Sequence, residues 1–480
     1  MVSAYRVVFR TGLTPVLPPG QERTMTVTDQ VLGITFTDGV AGQMPQASIT
    51  LPLKRSTDEF GRLPYTDLLA PGDLCTIEVL ASHGRGEDWV TILDGPIRSL
   101  SESESLPAGG GLEATTTVEV GSFADVLNED TVAWWMFYGT VEGYGKVRSY
   151  LTPDQLSQSP YRVAFDYLTK IAMTESVYRH FATLADRVSL AFGGLEALTP
   201  LELTLTMAEG SFWSVISGFT DAPLHELYVT TMPPDRLPGT LTRAAANPAG
   251  SDKGATTVVW RTAPYVHATP AGRVDASAWN ALPLHDLTRD GNVVDTRRGT
   301  YSKAAIRNFT LVYPAIQFVN EDFAYAHASA IANTRSIRTF GYRPLKFRTH
   351  LLTDDSSTTP DIVDFMTAMS YRAAGQWNEQ HRLKNAVISA PLTPTVLPGH
   401  RVLVPDPWLG EDAWQYHVRA RQITLDPVQG ARMTLNLERG APNAMYADPA
   451  WLVADLEAVR VGAETYAERF RLQDEPGAPP

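Results

Sequence analysis

The chain has 480 residues, 44% of them hydrophobic, 19% charged and 9% aromatic, a globular composition long enough for about three domains, and its 35 glycines and 34 prolines favour turns and short strands over long helices. Forty basic against 53 acidic side chains leave a net charge of −13, which argues against a surface built to neutralise phosphates, while a single cysteine, Cys75, excludes an internal disulfide and a multi-cysteine zinc site. The longest apolar run, Val132–Tyr138, is far below the roughly 20 residues of a membrane span, and Arg6 and Arg10 interrupt the apolar start where a secretory signal would be uniform; synthesis in a cytoplasm without membrane insertion is expected.

Up to about residue 127 the pattern is β. Thr24–Thr28, Ile34–Thr37, Ala47–Leu53, Leu74–Leu80, Trp89–Leu100 and Ala114–Val120 are β-branched or nearly alternating, and Asp38-Gly39, Pro71-Gly72, Gly84–Gly86 and Gly109–Gly111 separate them. Residues 1–127 are therefore expected to form a first barrel. Residues 128–281 read as an α+β domain. In it Ser159-Pro160 caps a helix carrying Val163, Tyr167, Leu168 and Ile171 on one face. Ser211 precedes a second helix with Phe212, Val215, Ile216 and Phe219, and Glu226–Thr230 and Thr256–Arg261 are strands flanking an open loop over 233–254.

Strand signals return at Asn292–Val294 and Ile306–Val312 and again from Ala386 to Arg439, so 282–316 with 385–440 make a second barrel, interrupted by a helical insertion over 317–384. Glu321–Thr334 is one helix of that insertion. Thr359-Pro360 opens a clearer one, with Ile362, Phe365, Met366, Met369 and Ala373 at helical spacing and Asp361 and Asp364 in the first turn. In the tail, 441–480, Asp448-Pro449 opens a last helix that Pro476 closes. Its Leu452, Leu456, Val459, Ala463, Tyr466 and Phe470 follow the spacing of a heptad seam, narrow enough to predict a partner-binding face; Gly462 inside it costs about 1 kcal/mol relative to alanine.

The two β regions repeat one order of segments. Leu69-Ala70-Pro71-Gly72-Asp73 leads into Leu74–Leu80, and Val396-Leu397-Pro398-Gly399-His400 leads into Arg401–Val404. A tryptophan-led strand follows each turn, Trp89–Leu93 in the first and Trp414–Val418 in the second. Both copies close on an alternating strand and a glycine, Thr116–Val120 with Gly121 and Met433–Leu437 with Gly440. The fold class predicted is β-rich α+β: two barrels related by internal duplication, α/β insertions and a C-terminal helix.

Further segments fall in a definite order. Ala47–Leu53 contains Ser-Ile-Thr-Leu, Leu69–Asp73 is the proline-glycine turn, and Leu93-Asp94-Gly95 runs into the Ser/Glu-rich Ser101–Ser105. Trp260-Arg261-Thr262-Ala263-Pro264-Tyr265 is an aromatic-Arg-x-x-Pro-aromatic strand end, and Phe340-Gly341-Tyr342-Arg343-Pro344 is a turn. Over roughly residues 30–440 this order resembles the baseplate hub proteins of long-tailed bacteriophages and the hub half of the type VI secretion spike. The resemblance implies two tube-type barrels per chain and a homotrimer presenting six similar faces to a hexameric tail tube or distal tail protein and three to a central spike. It further implies a virion location at the tail baseplate, with DNA only passing through the lumen. The C-terminal helix would then dock on its own barrel, a sister chain, the spike or the tape-measure protein terminus. A virion-associated cell-wall hydrolase and the hub of a type VI or extracellular contractile injection system are the alternatives.

Catalytic, cofactor and metal sites are not expected. Leu224-His225-Glu226-Leu227 lacks the second histidine of a zincin and reads as the start of a strand. The glycines at 109–111 have no following Lys-Ser/Thr, and Ser217-Gly218 and Ser370 have no nucleophile-elbow context. Glu102 with Glu104, and Asp354 with Asp355, read as solvated edges, Trp134-Trp135 as core or interface, and Cys75 as a buried, inert thiol.

Overall fold

The computed structural model describes residues 5–12, 23–53, 63–81, 88–105, 113–132, 188–193, 210–231, 242–243, 256–288, 296–314, 329–349, 359–405 and 413–460, apart from some residues within 210–224 and a few single positions elsewhere. Seven strands make the first unit: β1 (Tyr5–Thr11), β2 (Arg23–Thr26), β3 (Gly33–Gly39), β4 (Gln46–Pro52), β5 (Leu74–Ala81), β6 (Asp88–Ser105) and β7 (Glu113–Gly121). All pair antiparallel in the order β3-β4-β7-β6-β5-β1-β2. Alternation explains the faces. In β4 Ala47, Ile49 and Leu51 point inward, and in β1 Val7 and Phe9 do. Strand β1 is an addition to the sequence-based strands: Arg6 and Arg10 keep the alternation, but Val8 between them is apolar on the outward face and obscures it. Helix α1 (Tyr65–Leu68) leads into the Pro71-Gly72 turn.

The middle of the chain adds short elements. Strand β8 (Thr131–Val132) follows α2 (Val126–Glu129) and pairs β10 (Gly210–Ser211); β9 (Val188–Gly193), β11 (His225–Thr230), β12 (Thr242–Arg243) and β13 (Thr256–Thr262) form a sheet of order β11-β13-β9-β12. The pairing of β13 with β9 is parallel. Strands β11 and β13 are buried along their whole length, as a sheet covered on both faces requires. A hairpin of β14 (His267–Ala268) and β15 (Val274–Asp275) and helix α3 (Ser277–Ala281) lead to the second unit. The helix expected after Ser159-Pro160 and the strand at Asn292–Val294 lie outside the described residues.

The second unit comprises β16 (Leu284–Asp286), β17 (Thr296–Thr300) and, beyond an insertion, β21 (Lys384–Pro391), β22 (Arg401–Val404), β23 (Trp414–Asp426) and β24 (Gly430–Pro442). Its order is β17-β21-β24-β23, with β22 on β23 and β16 parallel to β22. Between β17 and β21 lie β18 (Phe309–Pro314), β19 (Ser329–Asn333), α4 (Thr334–Phe340), β20 (Pro344–Thr349) and α5 (Thr359–Trp377); β18, expected in the second barrel, pairs instead with β19 and β20 in a separate sheet, and α5 is the helix that Thr359-Pro360 predicts. Two helix expectations are corrected. Residues 329–333 are strand, pairing β18 and the last strand, β25 (Leu456–Arg460), and helix starts only at Thr334, where Asn333 Oδ1 accepts from the Ser336 amide at 2.8 Å.

The C-terminal helix does not form over its described part. Helix α6 (Asn443–Ala447) precedes Asp448, Pro449–Leu452 is one 3₁₀ turn, and 456–460 is β25. Asp455 takes a left-handed backbone, φ 60°, which ends any helix there, and the open edge of β19 supplies a strand partner. A single hydrophobic cluster runs through both units, from Val7 and Phe9 to Leu435 and Leu437. Smaller cores gather around Trp279 with Tyr446 and Leu452, and around Phe309 with Ala330 and Val459.

Candidate assembly surface

The proline-glycine turns are built alike. Gly72 has φ 94° and Gly399 φ 84°, a conformation open to glycine at no steric cost. The Gly72 amide donates to the Ile97 carbonyl (2.8 Å) and the Ile97 amide to that of Asp73 (2.7 Å); the Gly399 amide donates to Val418 (2.8 Å) and the Val418 amide to His400 (2.9 Å). Directly after these residues both long strands bulge against their partners, between Ile97 and Ser99 in β6 and between Val418 and Ala420 in β23.

Using the bulges as origin, β6 matches β23, β7 matches β24, β4 matches β21, β3 matches β17 and β5 matches β22, all in the same antiparallel order. Partners then correspond one to one: Ala47 faces Val120 as Ala386 faces Leu437, and Phe36 faces Ala47 as Gly299 faces Ala386. This register aligns Ala-Ser-Ile-Thr-Leu-Pro at 47–52 with Ala-Val-Ile-Ser-Ala-Pro at 386–391. Sequence reasoning missed that pair; the shared Ala-x-Ile-Ser/Thr-x-Pro pattern was the signal that would have found it.

The two units meet along one strand seam, β3 against β23, with Ile34 facing Leu425, Phe36 facing Ile423 and Asp38 facing Arg421. The first four side chains are core. Asp38 and Arg421 are also fully buried and form a two-point ion pair, Nε to Oδ1 at 3.1 Å and Nη2 to Oδ2 at 2.7 Å. Arg421 Nη1 donates to the carbonyls of Pro394 (3.2 Å) and Val396 (2.7 Å), so the guanidinium also holds the loop before the second turn. Burial raises the Asp38 carboxyl above its usual range, with Arg421 acting against it.

A second polar cluster joins the middle sheet to β23 and β24 beside a cleft of about 400 Å³. Arg261 Nε donates to Glu226 Oε2 at 2.8 Å and its Nη2 to the Gly399 carbonyl at 3.2 Å, tying β13 to the second turn. The Tyr265 hydroxyl donates to Glu438 Oε1 at 2.7 Å and lies 3.0 Å from Glu226 Oε1. Arg439 stacks 3.5 Å over the Tyr265 ring. Burial works to raise the Glu438 carboxyl, but the hydrogen bond and charge of His417, then Arg439 and Tyr265, take it down to about 2. Behind the turn, His400 Nδ1 lies 2.9 Å from His285 Nε2, and burial lowers both histidines, His285 to about 4. Both carboxylates of the cluster are held by fixed hydrogen bonds, and it ties structural layers together.

The residues singled out from sequence fall in several places. His225 and Glu226 begin β11, as expected, with Glu226 paired to Arg261. Glu102 and Glu104 are exposed on the second half of β6, Glu102 accepting from the Thr66 hydroxyl. Cys75 is buried in β5, where burial pushes its thiol well up; Ser370 is buried on α5. Ser211 Oγ accepts from the Ser214 amide at 3.1 Å. The tail residues are not brought together: Leu452 packs with Trp279 and Tyr446, and Val459 with Phe309 and Ala330. Leu456 is half-buried on β25, and Ala463, Tyr466 and Phe470 lie outside the described residues, as do Gly109–Gly111, Trp134, Trp135, Asp354 and Asp355. Among the described residues no group of three His, Cys, Asp or Glu is placed to hold a metal ion, and no helix is long and apolar enough to cross a membrane.

No family model and no curated protein matches the chain. Solved structures similar to it include a 43 kDa tail protein of prophage MuSo2 from Shewanella oneidensis, at 11% identity and TM-score 0.47 over 90% of this chain and 98% of that one. A tail protein from Neisseria meningitidis MC58 is similar at 12% identity and TM-score 0.47, over 94% and 99% of the two chains. An E. coli component of the type VI secretion system is similar at 7% identity and TM-score 0.41, over 87% of this chain and 74% of that one.

Proposed function

We propose that this chain is a structural baseplate hub of a phage or phage-like tail, without an enzymatic role. Its two tube-type barrels are duplicates that form, as a homotrimer, a ring of six like units around a DNA channel. The observation that carries this reading is the shared construction of the two units: five strands paired in the same order, with the same bulge after the same glycine turn. A threefold body matches a sixfold partner only when each chain offers one surface twice, and a repeated unit of this kind supplies that. Of the segments that resemble hub proteins in sequence, Ala47–Leu53, Leu69–Asp73, Leu93–Gly95 and Ser101–Ser105 lie on the first unit, whereas Trp260–Tyr265 ends β13 of the middle sheet and Phe340–Pro344 joins α4 to β20. In this reading the sixfold side receives the tail tube or distal tail protein and the threefold side the central spike. The undescribed end of the chain, with Ala463, Tyr466 and Phe470, is offered to a spike or tape-measure terminus. The hub of a contractile injection system would use the same ring.

The test is the mass and symmetry of the assembled chain. Light scattering of the purified protein is expected to give about three times 52.6 kDa, and electron-microscopic class averages a ring with six similar lobes. A species that is monomeric alone and within its particle, or a ring without sixfold pseudosymmetry, would overturn the proposal.

A further inference from the structure

Strand β3 pairs with β23 to join the two units inside one chain, and in the matched register β3 corresponds to β17 and β23 to β6. The counterpart seam would be β17 against the second half of β6. Within a chain that seam is not made: among the described residues β17 pairs only with β21, and β6 beyond Ile97 pairs only with β7. Where their exposure is described, both edges end in solvent. Residues Ser101–Ser105 of β6 are all exposed, and so are Gly299, Thr300 and Tyr301 at the end of β17, Tyr301 at 54%.

Transferring the internal register to the open edges fixes which residues would meet. Leu425 facing Ile34 becomes Glu104 facing Arg297; Ile423 facing Phe36 becomes Glu102 facing Gly299; Arg421 facing Asp38 becomes Leu100 facing Tyr301. The first and third exchanges are complementary, and the second sets Glu102 against a glycine with no side chain to oppose it. Where the internal seam has the apolar pair Leu425–Ile34, the outer one has a glutamate opposite an arginine, with Glu102 diagonal to the same arginine. Where the internal seam has a buried ion pair, the outer one has a leucine opposite a tyrosine. Arg298 falls opposite Ser103 on the other face. Charges along an exposed edge also keep it from pairing indiscriminately, so the same residues that select the correct edge discourage others.

We propose that β17 of one chain pairs antiparallel with residues 99–105 of β6 in the next copy of this chain, Glu104 opposite Arg297, closing the ring head to tail with a second kind of seam. The contact is heterologous, since a different edge is used on each side, and such contacts form closed rings or open filaments. That the ring closes at three rests on the function proposed above; the edge pairing and its register do not.

The test is disulfide trapping in the full chain, combined with charge reversal. E104C/R297C is expected to give covalent species linked between chains under mild oxidation, dispersed by reductant, whereas E104C/T300C, three residues out of register, is expected to give several-fold less. E102R/E104R alone and R297E/R298E alone are expected to weaken association by about tenfold or more, from like charges placed opposite one another, and the fourfold swap to restore it. Thermal melting of each variant checks that the units remain folded, and a variant that fails to fold is replaced by its alanine counterpart. Trapped species that close at a number other than three would uphold the edge pairing and overturn the trimeric hub. A trimer without the trapped disulfide and indifferent to the charge reversals would uphold the hub and overturn the edge pairing. A wild-type chain monomeric at every concentration would overturn both.

Discussion

Arg421 is the residue on which the internal seam turns, because it spans three things at once: Asp38 of the other unit and the carbonyls of Pro394 and Val396. Removing one partner of such a pair strands a buried charge. Asp38→Ala is therefore expected to cost about 3–5 kcal/mol, measured by denaturant unfolding, and D38A/R421M to recover part of that loss, because two apolar side chains leave no charge stranded. A double variant less stable than D38A would show that the two loop carbonyls, not the ion pair, are what Arg421 serves. Gly399 is constrained differently: a Cβ there would lie 2.7 Å from Tyr228 Oη and 2.8 Å from Arg261 Nη2, on a backbone that already has φ 84°, so alanine meets both strain and collision.

The titratable residues behind that turn make the fold acid-sensitive. His285, lowered to about 4 by burial, stays neutral when folded but takes a proton in the unfolded chain near 6.5, so stability present above 6.5 is lost as pH falls toward 4. Glu438, held at about 2 against an ordinary 4.5, adds a second loss from about 4.5 down through 2. Both signs agree. Unfolding midpoints followed from pH 7 to pH 3 are expected to fall in two steps, and His285→Gln to shrink the upper step, with the buried His400 contributing what remains, while sparing the lower. A midpoint that holds constant from pH 7 to pH 5 would contradict the burial of the histidine pair.

At the scale of elements, the tail separates what periodicity shows from what it hides. The first-unit strands after β1 were legible because each presents one face to a core, and alternation in Ala47–Pro52 or Glu113–Gly121 records that directly. Leu452, Leu456 and Val459 fit a heptad equally well as a sequence, yet Leu452 serves the core around Trp279 and Val459 that around Phe309. A run that crosses between two cores has no single face, and its spacing is then accidental. Residues 329–333, alanine-rich and helix-favouring alone, are strand because β18 and β25 lie on either side, a non-local cause that no local window contains. The turns were readable from Pro-Gly, but the matched register and the Asp38–Arg421 seam join residues 383 apart.

The corrected tail changes what truncation does. Leu452→Ala is expected to cost about 2–4 kcal/mol, since its side chain is buried beside Trp279 and Tyr446 and its carbonyl accepts from Asn378 Nδ2 at 2.9 Å. Leu456→Ala, half-buried on β25, is expected to cost less. Deletion from Asp448 onward removes both and bares the β19 edge, so it should lower the thermal midpoint of the whole chain; an unchanged midpoint would mean that the tail is an appendage after all.

At the scale of the whole molecule, the two seams of the proposed ring differ in the force that holds them, and this separates them experimentally. The seam within a chain is dry, with Ile34, Phe36, Ile423 and Leu425 around a fully buried Asp38–Arg421 pair, and added salt reaches such groups poorly. The seam between chains would draw on the exposed Glu102 and Glu104 of β6 and on the opposite charge that the sequence places at Arg297 and Arg298, an attraction that acts across solvent before docking. The screening length shrinks from about 10 Å at 0.1 M to about 3 Å at 1 M salt, so raising sodium chloride over that range is expected to slow assembly and shift rings toward single chains. Far-ultraviolet circular dichroism should stay constant, because the units and their internal seam are untouched. Sedimentation velocity across the titration reads the two effects separately. Rings that persist unchanged at 1 M salt and reassemble at the same rate would mean that the Leu100 and Tyr301 positions, not the charged ones, carry the contact, and would move the decisive substitutions from Glu104 and Arg297 to those two residues.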